Sequence, residues 1–194
     1  MKQVMLIAIA GLGLLCNSTP AAASVISYTE QASATGTLGG TPFTNALVTI
    51  TGIGNTANVT AAGILRNVLS SATVTVAGIG TAAITSSIEV FDNQLFQPTA
   101  AVGIGLAGGN GSILDTVNSQ FSTYDLTFAI GPVSGTSLIN SSVNTNTTLG
   151  VLNFTSAQNS TFTAGTPEPG SWMLMGLGFS ALASKLRRAK SHRC

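Results

Sequence analysis

The acidic side chains between Ser24 and Thr166 are the groups of this chain that could do acid–base chemistry. Glycoside hydrolysis uses two carboxyl groups, one of them with a raised pKa. Four acids that could supply such a pair are Glu89, Asp92, Asp115 and Asp125. Nothing in their spacing pairs them, and the sequence favours acids scattered over a surface. A carboxylate hydrolase is therefore kept only as the least favoured hypothesis, and no residue is predicted to be catalytic.

Other catalytic and metal chemistry lacks the required side chains. Histidine occurs only at His192, and cysteine only at Cys16 and Cys194. Nucleophilic triads need an imidazole beside the nucleophile, and zinc sites need histidine or cysteine ligands. Lysine is absent between Ser24 and Thr166, so no Walker-type phosphate loop occurs there. The sequence therefore predicts a noncatalytic protein without a cofactor or a metal site.

Two short segments have oxygen ligands at spacings that could suit calcium. Gly108–Asp115 resembles one calcium-binding nonapeptide, but it has Ser112 where that motif has Asp. The nonapeptide works by repetition, so a single imperfect copy favours a Gly-rich turn. The pair Asp92 and Asn93 is equally typical of a polar turn.

Threonine pairs with a one-residue gap occur at Thr49 and Thr51 and at Thr73 and Thr75. On a flat strand this spacing presents ordered hydroxyl groups, a pattern that could serve ice binding. Any half-exposed strand rich in threonine has the same spacing. Ice binding is therefore kept as an alternative function.

The segment between Ser24 and Thr166 has the period-two pattern of half-buried strands. Apolar residues alternate with polar ones at 48–51, 73–76 and 124–130. Gly-rich turn signals recur between these segments, at 39–42, 52–55, 78–80, 108–111 and 131–132. The pattern predicts an all-β fold, an antiparallel β-sandwich or barrel. The best candidate for a helix is Leu114–Phe121.

A partial internal repeat relates residues 46–54 to residues 72–80, with an offset of 26 residues. Each copy contains an alternating strand pattern followed by Gly-Ile-Gly. The repeat predicts two similar β-hairpins that turn at these glycines.

The charge of this segment argues against nucleic acid as a partner. One base, Arg66, stands against five acids, which gives a side-chain charge of −4 for residues 24–166. Nucleic-acid-binding surfaces need clustered lysine and arginine to neutralise phosphates.

The N-terminal 23 residues have the order of a secretory signal peptide. Lys2 precedes an apolar run of 12 residues, Val4–Leu15. Small residues at Ala21 and Ala23 predict cleavage before Ser24.

The C-terminal segment combines a proline motif, an apolar stretch and a basic end. Pro167, Glu168 and Pro169 precede an uncharged run of 15 residues, 170–184. A helix of that length spans about 22 Å, so the sequence predicts a short transmembrane helix. The basic residues that would stop it on the cytoplasmic side are Lys185, Arg187, Arg188, Lys190 and Arg193. A plain single-pass anchor is the alternative interpretation.

This three-part order resembles the PEP-CTERM sorting tail, with Thr166 where that family most often has Val. The resemblance implies export through the general secretion machinery and processing by the membrane enzyme exosortase. It also implies a link to exopolysaccharide and biofilm matrix, and the same tail occurs on proteins labelled ice-binding. Because such a tail is an address, it transfers no activity to the domain before it.

We therefore expect a signal peptide at 1–23, a β-rich extracellular domain at 24–165 and a sorting tail at 166–194. The predicted function is that of an exported, noncatalytic protein of the cell surface or extracellular matrix of a Gram-negative-type bacterium, with a transient stay in the inner membrane. The expected partners are exosortase, the secretion machinery and matrix polysaccharide. A carbohydrate-binding module and an ice-binding protein are the alternatives.

Overall fold

The computed structural model describes residues 24–95 and 99–166. The predicted signal peptide, including Ala21 and Ala23, and the predicted proline motif, membrane helix and basic stop lie outside these residues. The strands are β1 (Val25–Leu38), β2 (Thr41–Asn55), β3 (Thr60–Ala61), β4 (Leu65–Val68), β5 (Ser71–Val76), β6 (Gly80–Ala83), β7 (Ile88–Asn93), β8 (Ala100–Leu106), β9 (Ser112–Asn118), β10 (Ile130–Leu138), β11 (Thr145–Thr147) and β12 (Gly150–Gly165). Short 3-10 helices occupy Thr56–Asn58 and Ser119–Thr123. Within the described ranges, no helix has the length and hydropathy to cross a membrane.

Antiparallel hydrogen bonding joins all twelve strands into one sheet, in the order β3-β4-β7-β8-β9-β10-β12-β1-β2-β5-β6, with β11 paired to β12. The predicted all-β, antiparallel class is confirmed. The sheet is open, since the order ends at β3 and β6, so it is no closed barrel. It is also one continuous sheet, whereas the predicted sandwich has two.

The two halves of this sheet share one hydrophobic core. We call β12, β1, β2, β5 and β6 the long-strand half, and β3, β4, β7, β8 and β9 the short-strand half; β10 joins them. Val74 of the long-strand half and Val90 of the short-strand half belong to the same buried cluster. The Tyr28 hydroxyl on β1 accepts a hydrogen bond from Asn67 on β4, 2.9 Å away. The inner faces of the two halves therefore lie against each other.

Aromatic rings fill the part of the core where β10 joins the two halves. Phe162 on β12 has its ring centroid 6.2 Å from that of Tyr28, 5.7 Å from that of Phe121 and 6.0 Å from that of Tyr124. All four rings are buried. Edge-to-face contacts at such distances add to the free energy gained by burying the rings.

The period-two pattern identifies two of its three segments correctly. Residues 48–51 lie in β2 and residues 73–76 in β5, with their valines and isoleucine turned into the core. Residues 124–129 form no strand, although Tyr124 and Leu126 are buried as the pattern requires. Leu126 has a φ of 64°, and its carbonyl accepts a 2.6 Å hydrogen bond from the Tyr28 hydroxyl. That carbonyl is satisfied by a side chain of the core instead of a neighbouring strand.

The predicted helix at Leu114–Phe121 is wrong. Ser112–Asn118 is strand β9, which pairs with β8 on one side and β10 on the other. The chain then enters the 3-10 helix, where the Asn118 side chain accepts a 2.8 Å hydrogen bond from the Gln120 amide. Pairing on both edges outweighs the weak local preference for helix.

The two repeat copies lie beside each other, and only the second turns at its glycines. β2 pairs with β5, with Val48 opposite Val76 and Ile50 opposite Val74. The chain turns at Gly78, which has a φ of 84°. β2 instead runs straight through Gly52 and Gly54. A Cβ on Gly52 would collide with Leu69, and one on Gly54 would come within 3.0 Å of the Tyr28 ring. These glycines allow the β4–β5 connection and the Asn67 side chain of β4 to pack closely against β2.

The two ends of the domain leave the sheet side by side. Ser27, three residues after the predicted signal cleavage, is the partner of Gly165, the last residue of β12. β1 is 14 residues long, so at about 3.3 Å per residue it places the Gly39–Gly40 turn about 45 Å away. Both chain junctions therefore lie at the same end of the molecule.

We expect Phe162→Ala to lower the free energy of unfolding by about 3–5 kcal/mol, because it leaves a cavity among three aromatic rings. Phe128→Ala is the matched control: this ring is 48% exposed, and its replacement should cost about 1 kcal/mol. Urea unfolding of both variants measures the difference. Equal losses would contradict the placement of the core.

Candidate functional site

Four of the five acids in the domain are buried, which corrects the interpretation of scattered surface acids. Glu30 is 0% exposed, Glu89 2%, Asp92 0% and Asp115 5%. The fifth, Asp125, is exposed, and its carboxylate accepts hydrogen bonds from the amide and hydroxyl of Thr127 at 2.9 and 2.6 Å. A buried carboxyl group must be paired or neutral, so the surroundings of each of the four decide its state.

Glu30 lies in the centre of the core and was not among the four acids predicted as candidates. Thr116 on β9 donates a hydrogen bond to its carboxyl group and lies 2.7 Å from the Ser160 hydroxyl on β12. Burial raises the pKa of Glu30 well above its ordinary value, against the hydrogen bond from Thr116, and Asp115 adds to the rise. Burial therefore favours the protonated form of Glu30. A signal was present, since Glu30 continues the inward-facing series of Tyr28 and Ala32.

Asp92 is the second acid of the inner face. Gln94 donates a 3.2 Å hydrogen bond to its Oδ2, while its Oδ1 has no partner among the described residues. Burial raises the pKa of Asp92 from 3.8 to about 7, opposed by the hydrogen bond from Gln94. Asn93 accepts a 3.2 Å hydrogen bond from the Leu95 amide. Asp92 and Asn93 are the last two residues of strand β7, so they do not form the expected polar turn, and their side chains point to opposite faces of the strand.

Glu89 lies on the outer face of the short-strand half, where it forms an ion pair with Arg66. The amides of Gly108 and Gly109 donate further hydrogen bonds to its carboxylate, at 3.0 and 3.2 Å. The turn after β8 thus presents N–H donors to an anion, the opposite of a calcium loop, which presents oxygen atoms. Across the described ranges, no group of three histidine, cysteine or acidic side chains could hold a metal ion.

Asp115 lies on the same outer face, two strands away from Glu89. Its carboxyl group accepts a hydrogen bond from Ser112 and covers Gly103 of β8, where a Cβ would collide with it. Burial raises the pKa of Asp115 from 3.8 to about 7, opposed by the hydrogen bond from Ser112.

These contacts do not create the pair of carboxyl groups that a hydrolase needs. Glu89 is held by a guanidinium and two amides, so its lone pairs are engaged rather than directed at a substrate. Glu30 and Asp92 lie on the inner face, away from solvent. The absence of enzymatic activity stays a prediction.

A cleft of about 130 Å³ opens beside the Arg66–Glu89 ion pair. Its floor is strand β8 at Gly105, and the turn through Gly109 and Gly111 forms one wall. The remaining lining residues are Ile64, Arg66, Glu89, Phe91, Leu106 and Ser112. Of the β8 glycines on this face, Gly105 lines the cleft, whereas the space above Gly103 is filled by the Asp115 side chain.

A second polar surface covers the outward side of the long-strand half. Neighbouring strands align the residues of one row as Ser134, Thr161, Gln31, Thr49, Thr75 and Thr81, and those of a second row as Thr163, Thr29, Thr51 and Thr73. We call these ten residues the hydroxyl face. It holds the four threonines of the predicted threonine pairs and carries no charge. The pairing of six strands, invisible in the sequence, extends those pairs into an array.

Hydrogen bonds between neighbouring strands fix several side chains of the hydroxyl face. The Thr75 and Thr81 hydroxyls lie 2.8 Å apart, and those of Ser134 and Thr161 lie 2.9 Å apart. Gln31 donates a 3.1 Å hydrogen bond to Thr49. The array is therefore ordered before any ligand arrives.

Aromatic side chains do not form an exposed platform in the part of the chain that the structure describes. Both tyrosines are buried, as are Phe43, Phe121, Phe154 and Phe162. Phe91 is half-buried in the cleft, and Phe128 is exposed elsewhere. A carbohydrate-binding module that stacks several sugars along a row of rings therefore lacks its expected surface in this region.

Comparison with known proteins identifies the C-terminal segment. Residues 166–188 match the family model of the PEP-CTERM protein-sorting motif. The chain carries this motif, as predicted, which indicates an exported protein that exosortase processes at the membrane or cell surface. No curated protein and no solved structure matches the chain. The motif begins at Thr166, directly after the last residue of β12.

Because these acids are buried, we expect the domain to be most stable in mild acid. In the unfolded chain, Asp92 and Asp115 ionise near pH 4, whereas in the folded domain their pKa values are about 7. Between pH 4 and 7 the unfolded state thus binds fewer protons, so stability falls as pH rises and levels off above pH 7. The expected slope is on the order of 1 kcal/mol per pH unit for each acid.

Urea unfolding between pH 4 and pH 8 measures this slope. Glu30→Gln should reduce it, because the amide keeps the shape of the protonated acid and does not ionise. Gln31→Ala, at an exposed position on the same strand, should leave it unchanged. A stability maximum near pH 7 would contradict the neutral state of these acids.

Proposed function

We propose that this protein is a noncatalytic component of the cell surface or extracellular matrix, and that its hydroxyl face adheres to exopolysaccharide. The observation that carries the proposal is the uncharged array of threonine, serine and glutamine side chains across six strands. The sorting motif supports delivery to the surface, where such polysaccharide lies.

The regular geometry of the hydroxyl face suits an extended, hydroxylated polymer. Neighbouring strands lie about 4.8 Å apart, and alternate residues along a strand lie about 6.7 Å apart. The array thus spans roughly 24 Å across its six strands. A single hydrogen bond exchanged with water contributes little net free energy, about 0.5–1.5 kcal/mol. Many such contacts along one polymer add up, which favours long chains over short fragments.

Low charge supports the same ligand class. Burial favours the protonated form of Glu30 and leaves Asp92 and Asp115, with pKa values of about 7, only partly ionised at neutral pH, while Glu89 is paired with Arg66. The domain therefore repels a weakly acidic polysaccharide less than its sequence charge implies.

The arrangement of the chain ends suits a protein presented at a membrane. The sorting motif follows a central strand whose end lies beside the start of β1. In our proposal, the chain stays in the inner membrane only until exosortase cuts it. This cleavage releases the domain to the surface. Both chain ends lie at one end of the domain, and β1 and β2 extend away from that end along their full length.

Ice binding is the second candidate, because the same ordered and uncharged hydroxyl array could organise water. It requires the hydroxyl face alone and no polysaccharide. The two candidates therefore share a surface and differ in ligand.

Replacing the central threonines tests both candidates. The variant Thr29→Val, Thr49→Val, Thr51→Val, Thr73→Val and Thr75→Val removes hydroxyls and keeps side-chain shape and strand propensity. We expect it to lose at least about tenfold in retention on purified matrix polysaccharide, since several weak hydrogen bonds disappear together. The control Thr44→Val with Thr136→Val changes exposed threonines outside the hydroxyl face.

The readouts are co-sedimentation with the polysaccharide and inhibition of ice recrystallisation. Retention that the five-fold variant loses and the control keeps supports matrix adhesion. Inhibition of ice growth without retention favours ice binding. Unchanged retention in the five-fold variant overturns the role of the hydroxyl face.

Export and processing have a separate test, the intact mass and location of the protein in cells with and without functional exosortase. With the enzyme, we expect a chain that begins at Ser24, lacks the basic residues Lys185, Arg187, Arg188, Lys190 and Arg193, and leaves the membrane fraction. Without it, the tail should persist and the protein should stay in the membrane. A tail that persists in both strains would indicate a plain anchor.

A further inference from the structure

The cleft beside Arg66 has the size of one six-membered ring. Its volume is about 130 Å³, and an engineered protein cavity of about 150 Å³ accommodates benzene. The cleft lies on the outer face of the short-strand half, whereas the hydroxyl face lies on the outer face of the long-strand half. Because the inner faces pack together, these two surfaces lie on opposite sides of the domain.

The cleft combines an apolar ring with polar groups that are already held in place. Phe91 is half-buried in the lining and faces the two glycines of β8. Arg66 is fixed by its ion pair with Glu89, whose side chain is only 3% exposed. Within the described ranges, Arg66 Nη2 makes no hydrogen bond and remains a donor for a ligand. Ser112 adds a hydroxyl group that Asp115 orients.

The charges of the cleft indicate a neutral ligand. Arg66 is the single base of residues 24–166, and Glu89 already balances it. The turn amides that could have held a phosphate or carboxylate are bound to Glu89. An anionic ligand would therefore find no uncompensated positive charge here. A purely apolar ring would cover Arg66 Nη2 and the Ser112 hydroxyl without offering either a hydrogen-bond partner.

We infer that this cleft binds a single neutral pyranose unit, with the C–H face of the sugar on the Phe91 ring and its hydroxyls on Arg66 and Ser112. Pyranose rings have the required size, an apolar face and a hydroxylated rim. The inference rests on the proposed association with polysaccharide and adds a second contact on the opposite side of the domain. A domain with both contacts can join two polysaccharide chains.

Titration of the exported protein with the methyl glycosides of glucose, galactose and mannose, followed by NMR, tests this site. A ligand of this size should give saturable shifts with a millimolar dissociation constant for at least one of them. Phe91→Leu should raise that constant about tenfold by removing the ring contact. Ser112→Ala should raise it severalfold, and the exposed control Phe128→Leu should leave it unchanged.

Two outcomes overturn the inference. One is the absence of saturable binding by all three glycosides, or binding that neither Phe91→Leu nor Ser112→Ala weakens. The other is tighter binding of glucuronate, which would make the site one for anions. The five-fold valine variant of the hydroxyl face should keep glycoside binding, since it leaves the cleft intact. Loss of polymer retention and absence of glycoside binding in the cleft are therefore distinguishable results.

Discussion

Strand β1 pairs with β12 from Ser27 opposite Gly165 to Leu38 opposite Leu152, and the rest of the sheet grows outward from this pair. β2 and then β5 and β6 extend it on one side, and β10 extends it towards the short-strand half on the other. Because β12 is the last strand of the described residues, the sheet is complete only once Gly150–Gly165 is in place. The same pair brings the predicted signal junction and the start of the sorting motif to one end of the sheet.

The two sides of these central strands have opposite physical roles. Their inner residues place Glu30 and Ser160 against Thr116, so the core contains an acid beside two hydroxyl groups, and burial favours its protonated form. Their outer residues carry the hydroxyl face, where hydroxyls face solvent and no side chain is charged. The fold thus hides most of its acids and displays neutral hydrogen-bonding groups. The proposed contact with polysaccharide rests on this division.

Sequence patterns predicted strands where inward and outward positions alternate and both neighbours are strands, as in β2 and β5. They failed where a contact distant in sequence decides the local structure. Gly52 belongs to a predicted turn but lies inside a strand, where Leu69 of the connection between β4 and β5 occupies the space that a Cβ would need. Leu126 follows a strand pattern, yet its carbonyl bonds the Tyr28 hydroxyl, 98 residues away. Such contacts leave no periodic signal.

The sequence by itself determined the all-β class and the sorting motif, because period-two alternation and a proline–apolar–basic order are local properties of the chain. It also limited the chemistry, since residues 24–166 contain no histidine, cysteine or lysine. The tertiary structure decided which acids are buried, that Arg66 neutralises Glu89, and that threonines from separate strands align in rows. Burial and strand register depend on which distant segments meet, and the free energy of packing the whole core, rather than any short segment, sets that choice.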